Sequence, residues 1–379
     1  MRALVAIIDG LGVDYYLRHK RDLPWELERF AALRPVFGYS LTAYCSAATG
    51  LSPDRTGVFT EYRREEGDGR VHPLDFLRLI PGLRLRMLIK GYAFSFLQHL
   101  RLQPDDLAGI PPGFRSRFEA WHSDYGSFPP VLKLANRSII SALSAVGVDA
   151  RYTRMTSLGR SAYAAASSRL AGADIGLIYF PQFDSIGHRK GLDSNDAAEC
   201  LASIWETIGR FRRDLSSEPS VPVPLLVFSD HGMVPVARRF DFLGVLENHG
   251  FVYGRDYLAF VNSTICSIWY TNPAPQLRLR TVLSDSGVGR FLTDSQKADL
   301  GVAFRNHEYG EDLFVCDPGT EILPNFVSPF TRMSMAMHGY LPDAEAQLAV
   351  VGLSGLKGPM PTTIMQIHDF LAAFADSSV

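Results

Sequence analysis

An apolar run that stops on an acid and a histidine constrains this chain more than any other feature. Leu225-Leu226-Val227-Phe228 is followed by Ser229-Asp230-His231-Gly232-Met233. A short, unbroken apolar run is what a strand buried on both faces of a parallel sheet looks like. Gly232 lets the backbone turn sharply after it. Where strand gives way to turn, Asp230 and His231 can both lean towards one point. A carboxylate beside an imidazole is a good donor pair for zinc or a similar ion. The plainer alternative is a turn in which Asp230 caps a backbone group and His231 is merely polar.

Two other runs repeat the pattern. Ala3 to Ile8 reads as a first strand, with Asp9-Gly10-Leu11-Gly12 as the turn after it. In open α/β sheets, sites are built at that carboxyl edge. Gly10-x-Gly12 lacks the third glycine of a dinucleotide fingerprint. Asp174 to Phe180 is a further buried strand and leads into Asp184-Ser185-Ile186-Gly187-His188. The D-x-x-x-H spacing puts a carboxylate and an imidazole one helical turn apart on one face. A small-residue helix from about Leu41 to Ala48 stops at Thr49-Gly50, so Ser40 falls at its N-terminus. A hydroxyl there has the positive end of the helix dipole and free backbone N–H groups beside it. An ordinary serine cap is the competing reading. Gly38-Tyr39-Ser40-Leu41-Thr42 comes one glycine short of a G-x-S-x-G elbow, which weakens a serine-esterase reading.

Composition narrows the class. With 46% hydrophobic and 21% charged residues over 379 positions, the chain suits a soluble globular protein with one large elaborated domain or two domains. A formal net charge of −2 argues against a nucleic-acid binder that works by bulk electrostatics. Cys45, Cys200, Cys266 and Cys316 have no C-x-x-C spacing, so neither a zinc ribbon nor a disulfide framework is indicated. No stretch reaches the ~18 apolar residues of a membrane span. The first residues read as a strand rather than a signal peptide, which makes the cytoplasm the expected compartment.

From about residue 60 to 130 the character changes. Leu74 to Gln103 interleaves apolar residues with Arg78, Arg84, Arg86, Lys90 and Arg101, and Pro81-Gly82 and Gly91 divide it into two helical pieces. An aromatic, turn-rich stretch follows from Phe114 to Pro130. This region is expected to be an inserted cap. Its basic, apolar face suits peripheral contact with a membrane or a lipid-like substrate through residues 74–103. The favoured reading is that the apolar residues pack the cap and the arginines stay in water. Leu132 to Val146 reads as an amphipathic helix, and so does Ala197 to Leu215, with Leu201, Ile204, Trp205, Ile208 and Phe211 on one face. Residues 235–325 mix strand-like runs with helical ones and suggest a small α+β subdomain, with His249 and His307 as ordinary surface or core residues. The catalytic core is then 1–59, 131–234 and 326–379. It includes His338-Gly339, a final strand Leu348 to Leu353 and a closing helix from Pro361 to Ala373.

Asp9, Ser40, Asp184, His188, Asp230, His231 and His338 together supply three carboxylates, three imidazoles and one hydroxyl, each at a strand end, helix start or glycine turn. Two divalent ions with three protein donors each would use all six side chains. Two ions roughly 4 Å apart are a recurrent device for displacement at phosphorus.

The chain here resembles the alkaline phosphatase superfamily and, within it, the type I phosphodiesterase/nucleotide pyrophosphatase family. The motifs are Asp9-Gly10, Ser40 upstream of Thr49-Gly50-Leu51-Ser52-Pro53, Asp184-x-x-Gly187-His188, Ser229-Asp230-His231-Gly232-Met233 and His338-Gly339. The resemblance implies a three-layer α/β sandwich with a mostly parallel central sheet. It implies one zinc on Asp184, His188 and His338, and another on Asp9, Asp230 and His231, with Mn2+ or Fe as alternatives to Zn2+. Ser40 would be the nucleophile at the second ion, with Thr42 as the fallback. The implied reaction is cleavage of a phosphodiester or pyrophosphate through a phosphoseryl intermediate. A phosphomonoesterase, a phosphotransferase and a non-catalytic binding protein on the same scaffold are the competing functions. The better-known phosphodiesterases place threonine before Phe-Pro-Asn, where this chain has Ser40-Leu41-Thr42-Ala43, and the family's phosphate-contacting asparagine is replaced by the neighbourhood of Glu61-Tyr62. Cys45 lacks the following Pro and Arg of a sulfatase. The substrate stays open among a nucleotide, a sugar phosphate and a bulky, lipid-linked diester, as does the oligomeric state.

Overall fold

A computed structural model describes residues 1–64, 77, 79–80, 82–99, 110–114, 117–120, 138–218, 220–327 and 332–376. It divides into two compact units, Met1–Phe59 with His122–Pro235 and Met335–Val379, and Thr60–Trp121 with Val236–Ser334.

The first unit is built on a six-stranded sheet. Its strands are β1 (Ala3–Ile8), β2 (Arg29–Leu33), β3 (Ala150–Arg154), β4 (Ile175–Phe180), β5 (Leu225–Phe228) and β6 (Ala349–Ser354), in the spatial order β2-β6-β5-β1-β4-β3. β1 pairs in parallel with β4 and β5, and β3 in parallel with β4. β6 runs antiparallel to both β2 and β5, so five strands share one direction and β6 alone opposes them.

Period-two alternation sends each strand's side chains to both faces. Val5, Ile7, Leu177, Leu226 and Phe228 pack on one side with Ala43, Ala47, Leu143, Ile367 and Leu371 from helices Ser40–Thr49, Ile139–Ala145 and Gln366–Asp376. Leu4, Ala6, Ile8, Ile178 and Val227 pack on the other with Leu170, Phe183, Leu201, Ile204 and Trp205 from helices Arg160–Leu170, Gln182–Lys190 and Asn195–Asp214. β1, β4, β5 and β6 are buried along their whole length, which is why each reads as a continuous apolar run. The result is the expected three-layer arrangement with a mostly parallel sheet.

Some boundaries move. The closing helix begins at Gln366 rather than Pro361, because the Thr362 and Thr363 N–H groups donate to Gln366 Oε1 in a turn ahead of it. The helix within 132–146 is described over Ile139–Ala145, and its first part lies outside the described residues.

The second unit holds an antiparallel sheet in the order Tyr257–Val261, Ile265–Tyr270, Asp312–Cys316, Gly289–Phe291. Residues 122–130 of the expected cap fall in the first unit, whereas its residues 60–121 and residues 236–325 of the expected α+β subdomain fall in this one. The reason is aromatic packing: Tyr62 lies on Phe260, and Phe118 on Phe260, Trp269 and Phe326. Gly91 does not divide the cap helix, which runs unbroken from Leu83 to His99. Leu83 and Met87 are buried, Arg84 pairs with Asp241 at 2.5 Å, and Leu79, Leu85 and Tyr92 are exposed. Arg78, Arg101 and residues 121–130 of the aromatic stretch lie outside the described residues. Among the described residues no helix is long and apolar enough to cross a membrane. His249 and His307 are both exposed.

Candidate metal centre

All seven residues singled out from the sequence lie in the first unit, at the carboxyl edge of its parallel strands. Asp9 follows β1 directly, and Asp230 and His231 follow β5 after Ser229. Asp184 and His188 share one face of helix Gln182–Lys190, with His188 Nε2 3.2 Å from Asp184 Oδ1. His338 arrives from far along the chain. Ala336–Met337 pairs antiparallel with Val234–Pro235, and the Met335 N–H donates to His188 O. That short ribbon sets the His338 ring parallel to His231, with centroids 3.7 Å apart.

Among the described residues, two groups of donor atoms lie mutually within 4.8 Å. One is Asp9, Asp230 and His231, and the other is Asp184, His231 and His338. His231 therefore faces both groups. His188 reaches the second through Asp184 Oδ1, which is also 3.7 Å from His338 Nε2. Ser40 completes the cluster: its Oγ is 3.0 Å from His231 Nε2 and 3.4 Å from Asp9 Oδ1. Ser40 is the first residue of its helix, and the N-cap residue before it, Tyr39, makes no side-chain cap to the first turn. Thr42, two residues on, is fully buried and donates its hydroxyl to Phe59 O.

The two buried carboxylates are held by one oxygen each. Asp230 Oδ1 accepts the Gly10 N–H at 3.1 Å, which leaves Oδ2 3.1 Å from His231 Nε2. Asp9 Oδ2 accepts the Tyr179 hydroxyl, which leaves Oδ1 3.6 Å from His231 Nε2. Gly10 has φ +76°, and a Cβ there would press on Asp184, so only glycine fits this turn. His231 Nδ1 sits 3.1 Å from Gly232 O and His188 Nδ1 2.8 Å from Ala336 O. A carbonyl oxygen only accepts, so both Nδ1 atoms carry the proton and both Nε2 atoms turn to the carboxylates.

Charge in the site is unbalanced. Burial, then the neighbouring Asp230 and Asp184, push the Asp9 carboxyl well above the usual carboxylate range. Burial works against a charged His231, but Asp230 and the other carboxylates outweigh it and raise that imidazole to about 9. Burial, His231 and His188 hold His338 well below its ordinary value, so it stays neutral. Three acids gathered with imidazoles in one cluster form a group that could hold a cation. Carboxylate oxygens and imidazole nitrogens are the donors that zinc and its neighbours accept.

Sequence reasoning passed over two members. Tyr179 lies inside an apolar run, where the one usable signal was a phenol that must find a partner once buried. Ser229 was read only as the end of a strand. Its Oγ accepts the Leu11 N–H at 2.9 Å and donates to His231 O at 2.9 Å, locking the turn that carries the Asp-His pair.

A model of the type I phosphodiesterase / nucleotide pyrophosphatase family matches residues 109–310. That span contains Asp184, His188, Asp230 and His231. A search of curated proteins found no significant match. Among solved structures, murine ectonucleotide pyrophosphatase / phosphodiesterase 5 is similar with a TM-score of 0.67 at 13% identity, over 99% of this chain and 95% of that one. The human ectonucleotide pyrophosphatase / phosphodiesterase 5 is similar with a TM-score of 0.69 at 13% identity and the same coverages. An inactive form of the murine protein in complex with AMP is similar with a TM-score of 0.67 at 14% identity, again over 99% and 95%.

Proposed function

On the premise that the chain belongs to the type I phosphodiesterase/nucleotide pyrophosphatase family and is a phosphoric ester hydrolase, we propose that it cleaves a phosphodiester or pyrophosphate through a phosphoseryl intermediate on Ser40, beside two divalent metal ions. The observation that carries this reading is the position of Ser40 Oγ, at a helix N-terminus and 3.0 Å from His231 Nε2.

Asp9, Asp230 and His231 would hold one ion next to Ser40, and Asp184, His188 and His338 the other. Zn2+ suits this mixed N/O set, and Mn2+ or Fe would also fit its donors. When bound, such ions supply Lewis acidity, easing loss of the serine proton and offsetting charge on the phosphate oxygens. The chain's own residues do the rest. The first-turn amides of helix Ser40–Thr49 would donate to phosphate oxygens held at that helix N-terminus. Ser40 Oγ forms the new bond to phosphorus as the bond to the leaving oxygen breaks. Water then cleaves the phosphoseryl ester and returns the hydroxyl. Thr42 is not the nucleophile, since its hydroxyl is buried and committed to Phe59 O. The substrate is a phosphate ester or nucleotide, as for the family.

The test is turnover of bis-p-nitrophenyl phosphate and p-nitrophenyl phosphate, with and without EDTA and zinc re-addition, beside Ser40→Ala. Diesterase activity that needs metal is expected, and Ser40→Ala should lose about a thousandfold or more of it, on the scale of nucleophile removal in other hydrolases. Activity on the monoester alone would make the protein a phosphatase. Activity that survives both EDTA and Ser40→Ala would overturn the proposal.

A further inference from the structure

Gln347 lies outside every motif read from the sequence, yet it touches both halves of the site. It is 2% exposed, at the end of the Glu345–Gln347 turn that precedes β6. Its Oε1 accepts the N–H groups of Gly339 and Tyr340, at 3.0 and 3.1 Å, in the turn that presents His338. Its Nε2 donates to Gly232 O at 3.1 Å, and its own backbone carbonyl accepts the Gly232 N–H at 2.9 Å. Gly232 O is also the acceptor that faces His231 Nδ1. One amide thus grips the Gly232 carbonyl, one residue past His231, with one end and the Gly339 and Tyr340 N–H groups that follow His338 with the other. The partners decide its orientation, because a flipped amide would set N–H against N–H. The approach is close: a Cβ on Gly232 would collide with Ala346 O, so glycine is required there.

We propose that Gln347 is a positioning residue that fixes the spacing of the His231 and His338 imidazoles, and so ties one metal site to the other. The proposal rests on the two-ion reading of the site. A carboxamide of this length offers, at one tip, an oxygen that accepts two N–H groups and an NH2 that donates to a carbonyl. Glutamate of the same length keeps the acceptor half and sets a carboxylate against Gly232 O. Methionine fills the space and offers neither strong donor nor acceptor. Partners that orient a metal's ligands typically contribute ten- to a hundredfold in affinity.

The experiment is titration of the metal-free full chain with Co2+, followed by its visible absorption, for the wild type, Gln347→Glu, Gln347→Met and Ile367→Val. Ile367 packs in the core under the sheet, so Ile367→Val lowers stability without touching either ligand turn. Both Gln347 variants are expected to bind Co2+ about tenfold or more weakly and, at saturation, to show a changed ligand-field spectrum. Ile367→Val should match the wild type in both. If Gln347→Glu fails to fold, the same two readings come from Gln347→Met, which adds no charge. Wild-type affinity and spectrum in a folded Gln347 variant would overturn the role assigned to Gln347 while leaving the two-ion site intact. A wild-type protein that takes up no Co2+ would overturn the two-ion reading and this inference with it.

Discussion

His231 carries more of the site's physics than any other residue. It belongs to both donor groups, and three carboxylates raise its imidazole to about 9 against the effect of burial. A histidine raised above its ordinary value of 6.5 adds stability that is complete below pH 6.5 and lost as pH climbs through about 9. His338 has the opposite sign. Kept neutral in the fold, it withdraws stability as pH falls below 6.5, where the unfolded chain takes up the proton. The raised Asp9 carboxyl also withdraws stability as pH rises above its ordinary 3.8 and so offsets His338 on the acid side, whereas above pH 6.5 only losses remain: the unfolding midpoint of the metal-free protein should fall as pH climbs from 6.5 to about 9. The same proton blocks His231 Nε2 as a ligand, so zinc affinity should climb with pH up to about 9 and then level. Calorimetric titration across that range measures it, and an affinity independent of pH would show that His231 does not ligate.

Single helix ends and strand ends set the precision of the centre. Helix Ser40–Thr49 stops at Gly50, whose φ of +67° is the left-handed region and whose N–H donates to Ser46 O. A Cβ at this position would sit 3.2 Å from His368 Nδ1. Gly50→Ala should cost about 1–2 kcal/mol in chemical unfolding, from the left-handed strain alone. A change under a few tenths would mean that the helix end relaxes freely. Elements of this kind were legible in the sequence where burial is two-sided: β1, β4 and β5 appear as unbroken apolar runs, and each delivers its acid at the expected edge. β2 and β3, Arg29-Phe-Ala-Ala-Leu33 and Ala150-Arg-Tyr-Thr-Arg154, were not. They form the two edges of the sheet, are only partly buried, and show neither a run nor clean alternation. Tyr179 and Gln347 escaped for a different reason. Their partners Asp9 and Gly232 are 170 and 115 positions away, and no local pattern encodes such a contact. The division into a cap and a subdomain followed sequence continuity, whereas packing of Phe118 on Phe260 and Trp269 placed segments from both in one unit.

The first unit keeps a cluster of acids inside a close-packed sandwich. Ions that bind the folded state alone add stability by mass action, about 2.7 kcal/mol at a hundred times the dissociation constant. Saturating zinc should raise the melting temperature by several degrees over the EDTA-treated protein, and the rise should shrink in Asp230→Asn, which removes one buried charge. Equal melting curves with and without zinc would show that the acids are balanced by protons alone.

The position of β6 sets the timetable of assembly. It is wedged between β2 and β5, yet it is the last of the six strands to leave the ribosome. Until Ser354 has emerged, β2 has no neighbour and β5 presents a bare edge beside the Asp-His pair. The growing chain must carry that open seam from the synthesis of β5 to that of β6, a state prone to pairing with the wrong strand. Gln347, just ahead of β6, meets Gly232 only when β6 has paired with β5, so the turn that carries the Asp230–His231 pair gains this contact last.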